Sequence, residues 1–166
     1  QPLTSDNLPE YLRRSTGIGE FDRVLGGGLV EGSVVLLSGE PGIGKSTLLL
    51  QICASLAEDR TVLYVSGEES AAQISLRAKR LGIKGGGIYL LTETNAEKIL
   101  SHAKKLAPDI IIVDSIQTMY HSESNTIPGS VTQIRECAGV FINKAKTDGT
   151  SVILVGHVNK EGSIAG

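Results

Sequence analysis

No apolar run in this chain is longer than a short strand, far below the roughly 20 residues that a membrane-spanning helix needs. Cysteine is scarce as well. Cys53 and Cys137 are the only two, and they lack a CxxC spacing, so neither a zinc-binding pattern nor a disulfide framework is visible. Both fall within helical patterns and are expected to be reduced packing residues of a cytoplasmic protein. Positive charge is not in excess. Sixteen Lys and Arg stand against 18 Asp and Glu, for a formal net charge of -2, so no global basic field exists to attract nucleic acid. Any such contact has to come from a local patch or from an assembly. The start carries no signal-peptide pattern, and there is no internal repeat or low-complexity tract. Guanine-reading motifs are missing too. Asn159-Lys160-Glu161-Gly162 has Gly where an NKxD motif has Asp, and Asp114-Ser115-Ile116-Gln117 lacks the final glycine of DxxG. A GTPase is therefore disfavoured.

The 166 residues, 40% of them hydrophobic, are about one domain's worth and enough to bury a core. Residues Gln1 to Arg14 are polar with two prolines and read as an extended lead-in or linker, which leaves 15–166 as the folded unit. From there strands alternate with helices. Short apolar runs at Val34–Ser38, Val62–Ser66, Ile88–Leu91, Ile110–Asp114 and Ser151–Gly156 predict five strands. Helical spacing predicts a helix over Lys45–Ala57. It also predicts one with Ala71, Ile74, Ala78 and Leu81 inward, stopped by Gly82. Thr94-Asn95-Ala96-Glu97 and Ser130-Val131-Thr132-Gln133 read as capping boxes that open two more helices. Gln117 to Gly129 reads as a long polar loop. Apolar strands with intervening helices imply an α/β fold, a mostly parallel central sheet covered on both faces. Right-handed crossovers then place every strand's carboxyl end on one edge, where ligands bind.

The candidate functional residues all lie just past those ends. Gly39-Glu40-Pro41-Gly42-Ile43-Gly44-Lys45-Ser46 fits GxxxxGK[ST] in full, after a strand and opening a helix. Its glycines let backbone N–H groups turn inward onto phosphate oxygens, beside a helix N-terminus. Lys45 is placed to reach the β- and γ-phosphates of ATP, Ser46 to ligate Mg²⁺, and Thr47 to support the α-phosphate. Asp114, closing Ile-Ile-Ile-Val-Asp, is placed to hold the Mg²⁺ hydration shell. Glu68 and Glu69 follow the second strand. Glu68 is read as the carboxylate that polarises a water in line with the γ-phosphate, and Glu69 as an acid favoured by a helix N-terminus. His157 follows the fifth strand and reads either as a γ-phosphate contact or as a solvated loop histidine.

Several segments together resemble the bacterial RadA/Sms DNA-repair family: EFDRVLGGG (from Glu20), GEPGIGKSTLLLQ (from Gly39), YVSGEES (from Tyr64), Val113–Gln117 and VGHVNKEGSIAG (from Val155). The similarity runs from Arg14 to Gly166. It implies a three-layer α/β/α RecA-like P-loop core in which the sensor strand lies between the P-loop strand and the Asp114 strand. It further implies Glu68 as the water-activating glutamate and His157 as the polar sensor opening a second DNA-facing loop, with Gln117–Ser130 as the first. By the same resemblance, the family forms hexameric rings around single-stranded DNA. It processes branched recombination intermediates alongside a RecA-type recombinase, in the nucleoid-associated cytoplasm.

The family's four-cysteine zinc module, its KNRFG motif and its Lon-protease-like domain have no counterpart in these residues. The chain is accordingly expected to be an ATPase core that binds nucleotide but hydrolyses slowly and assembles poorly. DNA contact has little support from charge. Gln117–Ser130 holds no Lys or Arg, only His121, and Lys160 is the one cation of the tail. Arg77, Lys79, Arg80 and Lys84 read as a solvated face. A ring could still sum weak contacts. The competing readings are a nucleotide-gated interaction module and a clock-type RecA-core ATPase.

Overall fold

In the computed structural model, residues 13–14, 29–39, 43–122, 126–127 and 129–157 are described. Strand β1 (Arg13–Arg14) pairs antiparallel with β2 (Leu29–Val30). Then follow β3 (Val34–Gly39), α1 (Ile43–Leu56), β4 (Val62–Ser66), α2 (Ala71–Arg80), β5 (Ile88–Thr92), α3 (Ala96–Leu106), β6 (Ile110–Asp114), a 3₁₀ turn (Ile116–Thr118), α4 (Val131–Asp148) and β7 (Ser151–His157). Strands β3, β7, β6, β4 and β5 lie in that order in one sheet, and every pairing is parallel. The β7 strand thus lies between the P-loop strand β3 and the Asp114 strand β6, as the family resemblance implies.

Period-two alternation splits the core into two layers. Val62 and Tyr64 of β4, Ile110 and Ile112 of β6, and Ile153 and Val155 of β7 face α1 and Ile74 of α2. Leu63, Val65, Ile111, Val113, Val152 and Leu154 point the other way, onto α3 and α4 with Ala103, Cys137 and Phe141. The fold is therefore a three-layer α/β/α sandwich. Ser66, Asp114 and His157 continue the first set of positions, so strand parity places all three on the α1 face. Apart from Asp114 and His157 at their ends, the central strands are buried, whereas the edges are not. Leu36 of β3 is 53% exposed and Tyr89 of β5 is 51% exposed. Among the described residues, no helix is long and apolar enough to cross a membrane.

Several local expectations need correction. Helix α1 begins at Ile43, two residues before Lys45. In α2 only Ile74 is fully buried. Ala71 lies exposed in the first turn, and Leu81 is an exposed C-cap rather than a core residue. The N-cap of α3 is Asn95, not Thr94. Its side chain accepts from the N–H groups of Glu97 and Lys98, while Glu97 turns to the N–H of Ser122 and to His121. At α4 only half the predicted box forms. Ser130 accepts from the N–H of Gln133, but the Gln133 side chain is buried and its Oε1 has no hydrogen-bond partner, because the N–H of Ser130 is taken by the carbonyl of Ile127. A complete box, unread in the sequence, joins Ser70 and Gln73 at the start of α2.

The stretch Gln117 to Gly129, read as a long polar loop, begins inside the 3₁₀ turn, which takes in Gln117 and Thr118. Ile116 and Met119 are buried under α3 and α4. Tyr120 is held by the backbone of Thr94 and Ala96.

Candidate functional site

The parallel registers bring the strand ends into line. Gly39 pairs with His157, Val155 with Asp114, and Asp114 with Ser66. Strand β4 hands the chain outward to β5, while its neighbour β6 hands it toward β7. The connections leaving these two strands therefore part at their carboxyl ends, which is where open α/β sheets bind ligands. Of the phosphate loop, Glu40, Pro41 and Gly42 lie outside the described residues. Gly39 ends β3, and Ile43 and Gly44 open α1, so the helix N-terminus stands at this edge. Lys45, Ser46 and Thr47 follow in the first turns, all half-buried.

The Lys45 ammonium donates to the carbonyl of Gly156 at 2.7 Å and lies 3.2 Å from Nδ1 of His157. Burial pulls its pKa below the ordinary 10.5, while the negative charges of Asp114 and Glu68 act in the opposite sense. An ammonium can only donate, so Nδ1 of His157 accepts, and a neutral imidazole then carries its proton on Nε2. That Nε2 is buried and has no hydrogen-bond partner. The carboxylate of Glu68, itself largely exposed, is 3.9 Å away. A buried N–H without an acceptor carries a desolvation cost that an incoming anionic oxygen would remove.

Asp114 accepts from the Tyr64 hydroxyl at 3.0 Å. Burial, then the Asp114 charge, drives the Tyr64 pKa far upward, so the phenol stays a donor. Glu69 is engaged elsewhere. Its carboxylate accepts from the two terminal guanidinium nitrogens of Arg77, and its backbone exchanges hydrogen bonds with the Ser66 hydroxyl. Glu68, one residue earlier, is left facing the His157 side of the site.

The structure thus gathers Lys45, Glu68, Asp114 and His157, with Ser46 and Thr47 on the adjoining helix turn. Residues that sequence reasoning passed over join them. Tyr64 holds Asp114. Gly67 donates its N–H to the Asp114 carbonyl at 2.9 Å. Gln117 bonds to both backbone groups of His157. For Tyr64 a signal was present, since it sits two positions before the strand end and shares a face with Asp114.

A domain model described as an AAA domain matches residues 18–163. The chain belongs to the AAA domain family. It is also similar to proteins named DNA repair protein RadA. That of Bacillus subtilis is 53% identical over 166 residues, covering 99% of this chain, and that of Haemophilus influenzae is 50% identical over 166 residues. The Escherichia coli protein is 48% identical over 166 residues, covering the whole of this chain. The chain spans about 36% of the length of these relatives.

In this AAA domain the donor set fits a nucleotide triphosphate with Mg²⁺. An ammonium, a helix N-terminus and the orphaned Nε2–H of His157 all suit phosphate oxygens. Among the described residues, no three His, Cys, Asp or Glu side chains converge as a metal cage. A hydroxyl and a single carboxylate, Ser46 and Asp114, instead suit an ion that arrives with most of its shell supplied by phosphates and water.

Proposed function

We propose that this chain is the ATP-binding and ATP-hydrolysing core of a DNA-repair protein. The observation that carries the reading is the convergence on Lys45. Its ammonium meets the end of the sensor strand through Gly156 and His157, with Asp114 and Glu68 supplying negative charge from the neighbouring strand ends.

Lys45 binds the β- and γ-phosphates. Binding exchanges its contact with the Gly156 carbonyl for phosphate oxygens, which suit a partly buried ammonium better. Ser46 and Asp114 would hold Mg²⁺, which would offset the phosphate charge. Tyr64 fixes the Asp114 carboxylate for that task. The Nε2–H of His157 donates to the γ-phosphate. Glu68 orients the attacking water and takes its proton. It is suited to this because its carboxylate stays open to solvent on the His157 side, whereas that of Glu69 is committed to Arg77.

The similarity to proteins named for DNA repair supports a role in DNA repair, and on this reading the turnover is coupled to single-stranded DNA and to branched recombination intermediates. On this reading, full-length protein works as a hexameric ring beside a RecA-type recombinase. The net charge of -2 fits DNA contact made by an assembled ring rather than by one copy.

The test uses two variants and one ligand. Lys45→Ala is expected to weaken ATP·Mg²⁺ binding at least tenfold. Glu68→Gln is expected to keep binding within about threefold and to lose on the order of a hundredfold in turnover, as removal of a general base does. Single-stranded DNA should raise the turnover of full-length protein. Unchanged nucleotide affinity in Lys45→Ala refutes the site. An ATPase indifferent to saturating single-stranded DNA refutes the motor and leaves a nucleotide-gated module.

A further inference from the structure

Strand β7 outlasts its neighbour on one side. Its ladder with β3 runs on to Gly39 and His157, but its ladder with β6 stops one rung after Leu154, at Asp114 and Val155. Beyond that pair β6 turns away through Ser115 into the 3₁₀ turn. The two backbone polar groups of His157 that face β6 have therefore lost their strand partner.

The side chain of Gln117 takes that place. Its Nε2 donates to the His157 carbonyl at 3.0 Å, and its Oε1 accepts from the His157 N–H at 3.2 Å. A primary amide offers a donor and an acceptor on the same side, as the N–H and C=O of a single residue do in an extended strand, so it supplies one further rung. The opposite assignment of its oxygen and nitrogen would oppose two donors and two acceptors, which fixes the orientation.

We propose that Gln117 is a positioning residue for the γ-phosphate contact of His157. This rests on the nucleotide reading of the site. Through the His157 backbone it sets the ring so that Nδ1 meets Lys45 and Nε2–H faces the bound triphosphate. It also ties that contact to the turn from which the 117–130 segment leaves. The same turn is anchored at Thr118, whose hydroxyl donates to Ser115, and just beyond it at Tyr120, whose N–H bonds to Thr94. A shift of His157 on triphosphate binding is therefore passed to a braced element rather than lost in a slack loop.

The experiment compares Gln117→Ala and Gln117→Glu with wild type in full-length protein. The glutamate variant is nearly isosteric but loses the donor and sets a carboxylate against the His157 carbonyl, so it also fails the rung. Both variants are expected to lose about tenfold in kcat, with ADP·Mg²⁺ affinity within about twofold, because the contact being positioned reaches a γ-phosphate that ADP lacks. Equilibrium binding should show the preference for a non-hydrolysable ATP analogue over ADP falling at least threefold, while the thermal midpoint stays near that of wild type. Wild-type kcat and wild-type ATP-over-ADP preference in both variants would overturn the proposal and leave the ATPase reading standing. A joint fall of ADP affinity and thermal midpoint would also overturn it, showing a purely structural role. Failure of the wild-type protein to bind either nucleotide would instead sink the functional reading beneath it.

Discussion

Gly67 joins the end of β4 to Glu68, and adding one methyl group there tests how tightly the site is braced. A Cβ at this position would lie 1.9 Å from Oγ1 of Thr118, 2.7 Å from its Cβ and 3.1 Å from Cε of Met119. The methionine tip can swing aside. Thr118 cannot give so easily, because its hydroxyl is bonded to the Ser115 carbonyl at 2.7 Å and its backbone belongs to the 3₁₀ turn. Either that turn or the Gly67–Glu68 backbone has to move, and the latter is held by the 2.9 Å bond from the Gly67 N–H to Asp114.

Overpacking of this kind costs about 1–3 kcal/mol. At roughly 2–4 °C per kcal/mol for a domain of this size, Gly67→Ala should lower the thermal midpoint by about 4–8 °C when the cost is near the middle of that range. Turnover should fall further than stability alone explains, since the displaced residue is the neighbour of Glu68. Urea unfolding followed by circular dichroism measures the stability, and Thr118→Gly supplies the control. In the double variant the obstructing side chain is gone, so the two changes together should cost at least about 1 kcal/mol less than their sum. A Gly67→Ala protein with the wild-type urea midpoint would refute the packing argument. Strict additivity in the double variant would show that Thr118 is not the obstacle.

Two further outcomes follow from buried or bonded groups. The carboxylate of Glu93 accepts the N–H groups of Asn95 and Thr94, and these, the Asn95 bond foremost, hold its pKa below the ordinary 4.5. A depressed folded value means stability that is present above pH 4.5 and lost as pH falls through the lower folded pKa. Urea midpoints across that window should therefore fall less steeply in Glu93→Gln than in wild type. Cys53 and Cys137 are both free and fully buried, and burial raises both thiols, that of Cys137 to about 11. A thiol reagent such as Ellman's should find no reactive thiol in the native protein at neutral pH and both thiols after denaturation. Rapid native labelling of either would contradict the packing.

What could be read from the chain in advance follows the range of each interaction. The runs Val62–Ser66, Ile110–Asp114 and Ser151–Gly156 declare themselves as strands of a sheet covered on both faces because their apolar residues are nearly continuous. The edge strands look the same in sequence, yet Leu36 and Tyr89 remain half-exposed, since edge position is a property of the assembled sheet. Caps show the limit more sharply. Thr94 and Asn95 are both good N-cap residues upstream of Glu97. The choice of Asn95 comes with Glu97 bonding Ser122, 25 residues further along, and Asn95 itself doing the same through its Nδ2.

The site divides in the same way. The GxxxxGK[ST] pattern is local, so Lys45 and Ser46 stand out without a structure. The contact from Lys45 to His157 spans 112 positions and that from Gln117 to His157 spans 40. Neither leaves a local trace. A glutamine three residues past a strand looks like solvated loop, and only the early end of the β6–β7 ladder gives it a backbone to complete. The polar residues easiest to overlook in such a chain are therefore those that follow the shorter of two adjacent parallel strands. There the longer neighbour exposes unpaired N–H and C=O groups beside the ligand edge, and a side-chain amide from the departing loop can close them.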